Sequence, residues 1–322
     1  MTVLITGGFG YIGGRLARRF ASGGVNIRLG TRRPLPTPAG LGEARVVQTP
    51  WDSTSGLEAI CAGVDVVVHL AGANAADCAA DPVAALTANG LATARLTHAA
   101  TRSGVSRFIY LSTAHVYGST LSGVISESDV LTGLHPYATS HRAGEDVVRA
   151  AHARREIDGV VIRLSNAFGA PATAEVDCWR LLCNDLSRQA VTTGRMALET
   201  AGLQRRDFIT MTDTCRAIEH LMSLPSERLG DGVFNVGGSW SPTVLEFAGI
   251  LRSVAARILR SDLDLSIPGG PIVASHPLTF GIDKLLATGF ALTRDHVSEM
   301  TELLRFCADA FGGSPASARL DA

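Results

Sequence analysis

The chain has 322 residues, 46% hydrophobic and 18% charged, enough apolar side chains for a globular core in one large domain or two packed ones. A formal net charge of −1 excludes the strong positive field of a nucleic-acid binder or of a protein drawn to an anionic membrane. Basic residues are nearly all arginine, Lys284 being the only lysine.

The elements alternate from the start. Val3 to Thr6 is a buried strand, and Tyr11 to Ser22 has helical spacing that Gly23 and Gly24 end. Asn26 to Leu29 is a second strand and Arg45 to Gln48 a weaker third. Val64 to Leu70 is apolar on both faces, as strands of a covered parallel sheet are. Pro82 to Ser103 predicts a long helix, Arg107 to Ser112 a fifth strand, Tyr137 to about Ile157 a helix, and Val160 to Leu164 a sixth strand. The rhythm implies right-handed βαβ units in an α/β fold, a Rossmann-type doubly wound parallel sheet. Beyond residue 168, helices near 175–189, 213–223, 243–259 and 295–311 predict a smaller, mixed C-terminal lobe. The expected division is a dinucleotide-binding domain over 1–168, with part of 212–238 returning to it, a substrate lobe over 169–311, and a disordered tail over 312–322.

Six cysteines, Cys61, Cys78, Cys178, Cys183, Cys215 and Cys307, form no C-x-x-C pair and read as reduced thiols. The N-terminus enters an apolar strand without the basic start and apolar core of a signal peptide. No apolar run approaches the roughly 20 residues of a membrane helix. The expectation is a soluble cytoplasmic protein without metal.

Residues 7 to 13 read GGFGYIG, a loop of Gly7, Gly10 and Gly13 between a strand and a helix. Such a loop lets backbone approach a pyrophosphate, whose charge the helix N-terminus favours. An NAD binder usually ends its second strand on an acid that holds the ribose. Here that end is Gly30-Thr31-Arg32-Arg33, and two cations stand where a 2′-phosphate would lie. NADP(H) is the favoured cofactor, with NAD(H) left open.

The ordered motifs of nearly the whole chain resemble the extended short-chain dehydrogenase/reductase family, in particular its nucleotide-sugar epimerases, dehydratases and reductases. TGGFGYIGG is similar to its glycine loop, HLAGAN to its cofactor-lining turn, and NGLATARL to its N-x-x-G-T helix. LSTAHVYG resembles S-S-x-x-V-Y-G, HPYATSHRAGE resembles P-Y-x-x-S-K-x-x-x-E, and RLSNAFG resembles R-x-x-N-x-[YF]-G. QRRDFITMTD and FNVGG resemble the motifs R-D-F-I-x-V-x-D and Y-N-[IV]-G. The resemblance implies cofactor contacts from Gly7, Gly10, Tyr11, Ile12, Gly13, Asp52, Leu70, Ala71, Gly72 and Asn89, together with Thr31, Arg32 and Arg33. It implies Tyr137 as the acid/base, Thr113 as its hydrogen-bonding partner, and Asn166 and Arg206 as holders of a nucleotide diphosphate. It also implies a homodimer through helices 82–103 and 137–157.

One position departs from the family. The lysine that holds the nicotinamide ribose and lowers the tyrosine pKa is replaced by His141, on the same helix face at i+4. A histidine can hydrogen-bond a ribose but is charged only part of the time near neutral pH. His115 falls where sugar dehydratases carry glutamate, and Ala114 where they carry aspartate, so the pattern argues against a standard 4,6-dehydratase. His115 is expected to face the sugar and to move a second proton. The resulting expectation is an NAD(P)-dependent enzyme that reduces a 4-keto nucleotide sugar or epimerises one through a keto form. A non-catalytic NADP(H) sensor and a reductase of non-sugar carbonyls stand as alternatives.

Overall fold

The computed structural model describes residues 1–269 and 276–312. Seven parallel strands form the central sheet: β1 (Thr2–Thr6), β2 (Asn26–Thr31), β3 (Arg45–Gln48), β4 (Val66–His69), β5 (Arg107–Thr113), β6 (Asp158–Leu164) and β7 (Val233–Val236). Their order is β7-β6-β5-β4-β1-β2-β3. The chain leaves β1 in one direction and returns to β4 on its other side. That reversal opens a crevice at the carboxyl ends of β1 and β4, where open α/β sheets bind ligands.

Alternation along the strands feeds both faces. Val3 and Ile5 enter one core with Leu16, Phe20, Ile218 and Phe234. Leu4, between them, enters the opposite core with Leu57, Leu96, Phe108 and Val161. A third cluster, with Phe168, Leu186, Phe208, Phe247 and Leu304, fills the C-terminal lobe. Arg15 on the helix Tyr11–Ser22 meets Glu299 on the last helix, His296–Phe311, at 3.3 Å, and so ties that lobe to the glycine loop.

Several elements differ from the sequence expectation. The seventh strand, β7, is the FNVGG segment and pairs with β6. A short helix, Thr54–Cys61, starts where Ser53 Oγ accepts from Gly56 N at 3.0 Å; its single turn of apolar spacing was too short to register as a helix. The helix expected over 82–103 is interrupted by a π segment, Leu86–Leu91, because Asn89 is drawn inward by long-range partners. The helix expected near 175–189 begins only at Leu182 and runs to Thr193. Thr243 and Glu246 form a reciprocal capping box, and this local signature is why the helix Val244–Leu259 follows its expected span. The tail expectation for 312–322 lies, beyond Gly312, outside the described residues.

Candidate active site

Gly7 has φ +69°, and a Cβ there would lie 2.8 Å from the Ala71 backbone nitrogen. A Cβ on Gly13 would lie 2.2 Å from the Gly7 carbonyl oxygen. Backbone segments therefore touch where a side chain would have stood. The following helix starts at Tyr11 with Gly10 as its N-cap, without a side-chain cap or an acidic residue in the first turn. Its N–H groups and positive dipole end are left for an anion, so the residues present fit a dinucleotide pyrophosphate. Leu70 N donates to the Thr6 carbonyl at 3.2 Å, which holds the β4 turn against the loop. Ile12 packs on the core beneath the loop. The Tyr11 hydroxyl donates to the Gly169 carbonyl at 2.8 Å and lies 3.2 Å from Asn184 Oδ1, so this side chain ties the loop to the second lobe.

At the end of β2, Thr31 Oγ1 accepts from Arg33 N at 3.2 Å and closes a turn. Both arginine side chains are exposed, and neither guanidinium has an ion-pair partner among the described residues. Asp52, 93% exposed at its side chain, pairs instead with Arg95 at 2.5 Å. Asn89 is buried in the π segment. Its Oδ1 accepts from Ala73 N at 2.8 Å, and its Nδ2 donates to Ser140 Oγ at 2.9 Å. It thereby joins the turn after β4 to the helix Pro136–Ala153, which carries Tyr137 and His141 in its first turns.

That helix begins with His135 as N-cap, its Nδ1 accepting from Tyr137 N at 3.1 Å, and with proline in the first turn. Thr113 ends β5, and its Oγ1 accepts from His115 N at 3.2 Å. The Tyr137 and His141 rings meet edge to face, with centroids 4.5 Å apart. The His115 ring lies 6.2 Å from that of Tyr137. Burial raises the Tyr137 pKa, and the Thr113 hydroxyl opposes that shift. His141 is only 7% exposed. Burial, aided by nearby His115, pushes its pKa down to about 4. The imidazole is therefore neutral at neutral pH, where partial charge was expected from the sequence. His115 is lowered too, by loss of hydration and by Arg206 and His135. The cluster holds Thr113, His115, Tyr137 and His141 together, with no cation beside the phenol among the described residues.

Arg206 and Asp207 face opposite ways. Asp207, 2% exposed, accepts from Gly238 N at 2.9 Å and from Trp240 N at 3.0 Å. Burial pushes its pKa up to about 6. The Arg206 guanidinium has no carboxylate partner among the described residues, and its charge is felt by His115. Asn166 Nδ2 donates to the Asp207 carbonyl at 2.9 Å, which leaves its Oδ1 for other partners. Two open surface cavities, of about 650 and 860 Å³, lie away from this cluster, beside Trp240 and beside His152.

Sequence reasoning gave no role to Tyr110, His135 or Ser140. The motif residues Glu145, Arg163, Tyr117 and Asn235 turn out to form one buried network under the site. Arg163 Nη2 lies 2.8 Å from Glu145 Oε2, Arg163 Nη1 donates to Tyr117 Oη at 2.9 Å, and Tyr117 Oη donates to Asn235 Oδ1 at 2.7 Å. All six cysteines are free and buried. Among the described residues, no group of three metal-ligating side chains occurs and no helix is long and apolar enough to cross a membrane.

The buried histidines set an acid limit. His69 lies 2.6 Å from Thr6 Oγ1 and 3.0 Å from Thr93 Oγ1, and burial pushes its pKa down to about 3. Below the ordinary value of 6.5 the unfolded chain protonates these rings, while the folded protein holds His141 neutral to about 4 and His69 to about 3. The folded state binds fewer protons in that window, so stability falls as pH drops from about 6.5 towards 4. Asp207 works with the opposite sign: its stabilising contribution is present below 3.8 and is lost as pH rises through about 6, so it offsets one histidine. The melting temperature is expected to be lower at pH 5 than at pH 7. His141→Gln should flatten that slope by up to about 1.4 kcal/mol per pH unit, one proton's worth. An unchanged slope in calorimetry would show that His141 is not held neutral.

Known proteins are similar to this chain in sequence and fold. The model of the NAD dependent epimerase/dehydratase family matches residues 3–237. A dTDP-glucose 4,6-dehydratase of Streptomyces niveus is 30% identical over 271 residues, spanning 80% of this chain and 78% of that protein. A UDP-glucose 4-epimerase of Azospirillum brasilense is 26% identical over 291 residues, 84% of this chain and 82% of that protein. Among solved structures, MoeE5 in complex with UDP-glucose and NAD superposes with a TM-score of 0.77 at 26% identity, over 95% of this chain and 99% of that one. The family model spans the glycine cradle, the sheet reversal and the tyrosine helix, and this chain belongs to the NAD dependent epimerase/dehydratase family.

Proposed function

We propose that the protein is an NAD(P)-dependent oxidoreductase of nucleotide-activated sugars, working at a keto carbon by 4-keto reduction or by epimerisation through a keto form. The observation that carries the reading is the Tyr137 ring packed edge to face on His141 at 4.5 Å, with the His115 ring 6.2 Å from it and the carboxylate-free Arg206 near enough for its charge to lower the His115 pKa. A bound nicotinamide supplies or accepts the hydride. The chain's own residues handle the proton and the orientation. Tyr137 Oη donates its proton to the keto oxygen, with Thr113 sharing the hydrogen bond. A phenol held in its protonated form has the proton in place that reduction of a keto oxygen needs. Arg206 holds the diphosphate, for which a permanent, forked cation is suited, and the second Nδ2 hydrogen of Asn166 donates to it. Ala114 and His115 replace the acid pair of the dehydratases, so elimination of water is not the reaction proposed.

NADP(H) is the proposed cofactor, supported by the exposed side chains of Arg32 and Arg33 at the end of β2. A second reading, epimerisation, is favoured by His115, whose ring stands 6.2 Å from Tyr137 and offers a second proton carrier. A homodimer through the helices 82–102 and 136–153 is supported by the outward-facing Val83, Leu86 and Leu91. The test is calorimetric titration with UDP- and dTDP-sugars, in the presence of NADPH and then NADH. Arg206→Ala is expected to weaken nucleotide-sugar binding by about tenfold or more, the loss of a charge-assisted hydrogen bond. Unchanged affinity would remove the nucleotide-sugar assignment, and equal use of NADH would remove the cofactor preference.

A further inference from the structure

Tyr110 lies in the middle of β5, 1% exposed, and no motif called attention to it. Its Oη is 3.0 Å from His141 Nδ1. It also lies 3.4 Å from the carbonyl oxygens of Asn89 and His141. The phenol has one proton to give, and burial raises its pKa far above neutrality, so that proton is always present. The Asn89 carbonyl already accepts from the Thr93 hydroxyl at 2.5 Å. The His141 carbonyl lies inside the helix Pro136–Ala153 and serves its ladder. Nδ1 is the nearest acceptor and has no other donor among the described residues. A neutral imidazole that accepts at Nδ1 carries its proton at Nε2.

Nε2 has no hydrogen-bond partner among the described residues, although the ring is nine-tenths buried. The ring also faces the cofactor-lining turn: a Cβ built on Gly72 would stand 3.8 Å from His141 Cε1. The unpartnered N–H therefore opens on the crevice beside the glycine loop.

We infer that Tyr110 is a positioning residue, whose buried hydroxyl fixes His141 as the Nε2–H tautomer and so presents a neutral N–H donor to a ribose hydroxyl of the bound dinucleotide. The inference rests on the proposed dinucleotide site, but the tautomer itself is a property of the protein alone. In most relatives by resemblance a lysine would need no such partner, because an ammonium carries donors on every side. An imidazole has two inequivalent nitrogens and needs a neighbour to choose between them.

The experiment is nitrogen-15 correlation NMR of the full-length protein with labelled histidine, the His141 signals being assigned by their loss in His141→Gln. The wild type is expected to show Nε2 protonated and Nδ1 bare at pH 7, with a slowly exchanging Tyr110 hydroxyl proton correlated to Nδ1. Tyr110→Phe, checked for an unchanged cooperative melt, should mix the two tautomers and weaken NADPH binding by about tenfold, the order of one hydrogen bond. In a His141→Lys background the same substitution should leave NADPH affinity unchanged. A protonated Nδ1 in the wild type overturns the inference, and so does an unaltered tautomer in Tyr110→Phe. Should that variant not fold, absence of the hydroxyl–Nδ1 correlation in the wild type overturns it equally. If the tautomer is as stated but neither nucleotide binds, the proposed cofactor site fails and the Tyr110–His141 pair stands.

Discussion

Tyr137→Phe is expected to lower turnover by roughly 10²–10⁴-fold, the usual contribution of a positioned general acid. Nucleotide affinity should be unchanged. The ring stays, and with it the edge-to-face contact with His141 at 4.5 Å and the backbone N–H that His135 caps at 3.1 Å. Only the proton donor is removed. The effect should therefore fall on kcat and leave KM for the cofactor in place. Stopped-flow turnover with a keto sugar, beside an equilibrium titration of NADPH, separates the two. Turnover that survives would move the acid role to His115, the nearest other proton carrier, 6.2 Å away between ring centres. The result also bears on direction. With His141 neutral, only the Thr113 hydroxyl opposes the burial that disfavours the phenolate, and wild-type oxidation of a sugar alcohol should be slow until the pH is well above neutral.

Glu145→Ala should destabilise the protein by about 3–5 kcal/mol, because it leaves the Arg163 guanidinium buried without a counter-charge. Both side chains are almost wholly buried, and their contact is 2.8 Å. Ser112 Oγ donates to the same carboxylate at 2.5 Å, so the loss extends beyond one ion pair. Against a total of about 5–15 kcal/mol this is a large fraction. Urea unfolding measures it directly, and a loss below about 1 kcal/mol would show that the interior had rehydrated around Arg163. The double variant Glu145→Leu with Arg163→Met should cost less than the single one, since it removes both charges. Function is tied to the same bond. Glu145 sits two turns beyond Tyr137 on one helix, and Arg163 belongs to β6, so this pair anchors the helix of Tyr137 to the sheet.

Much of this was legible in the chain. The strand–helix rhythm, the three loop glycines and the capping signature at Thr243 are local features, and local sterics and periodicity write them into short windows. The glycine loop could be located because a turn that admits no Cβ admits few residues. Arg206 could be named a ligand holder, but whether the adjacent carboxylate of Asp207 would pair with it could not be read from the chain. The fold instead turns that carboxylate inward to the amides of Gly238 and Trp240. The π segment at Asn89 was likewise invisible, since its cause lies in Ala73 and in Ser140, which is 51 positions away.

By itself, then, the sequence determined the α/β class, the doubly wound order, the place of the dinucleotide loop and the identities of Thr113, His115, Tyr137 and His141 as one cluster. These follow from short-range patterns and from motifs whose spacing survives translation into space. Only the tertiary structure decided the state of that cluster. Whether His141 is charged depends on how much water reaches it, and which of its nitrogens carries the proton depends on Tyr110, 31 positions earlier. Charge and tautomer are properties of an assembled environment, in which desolvation and a distant hydroxyl outweigh the residue's intrinsic chemistry.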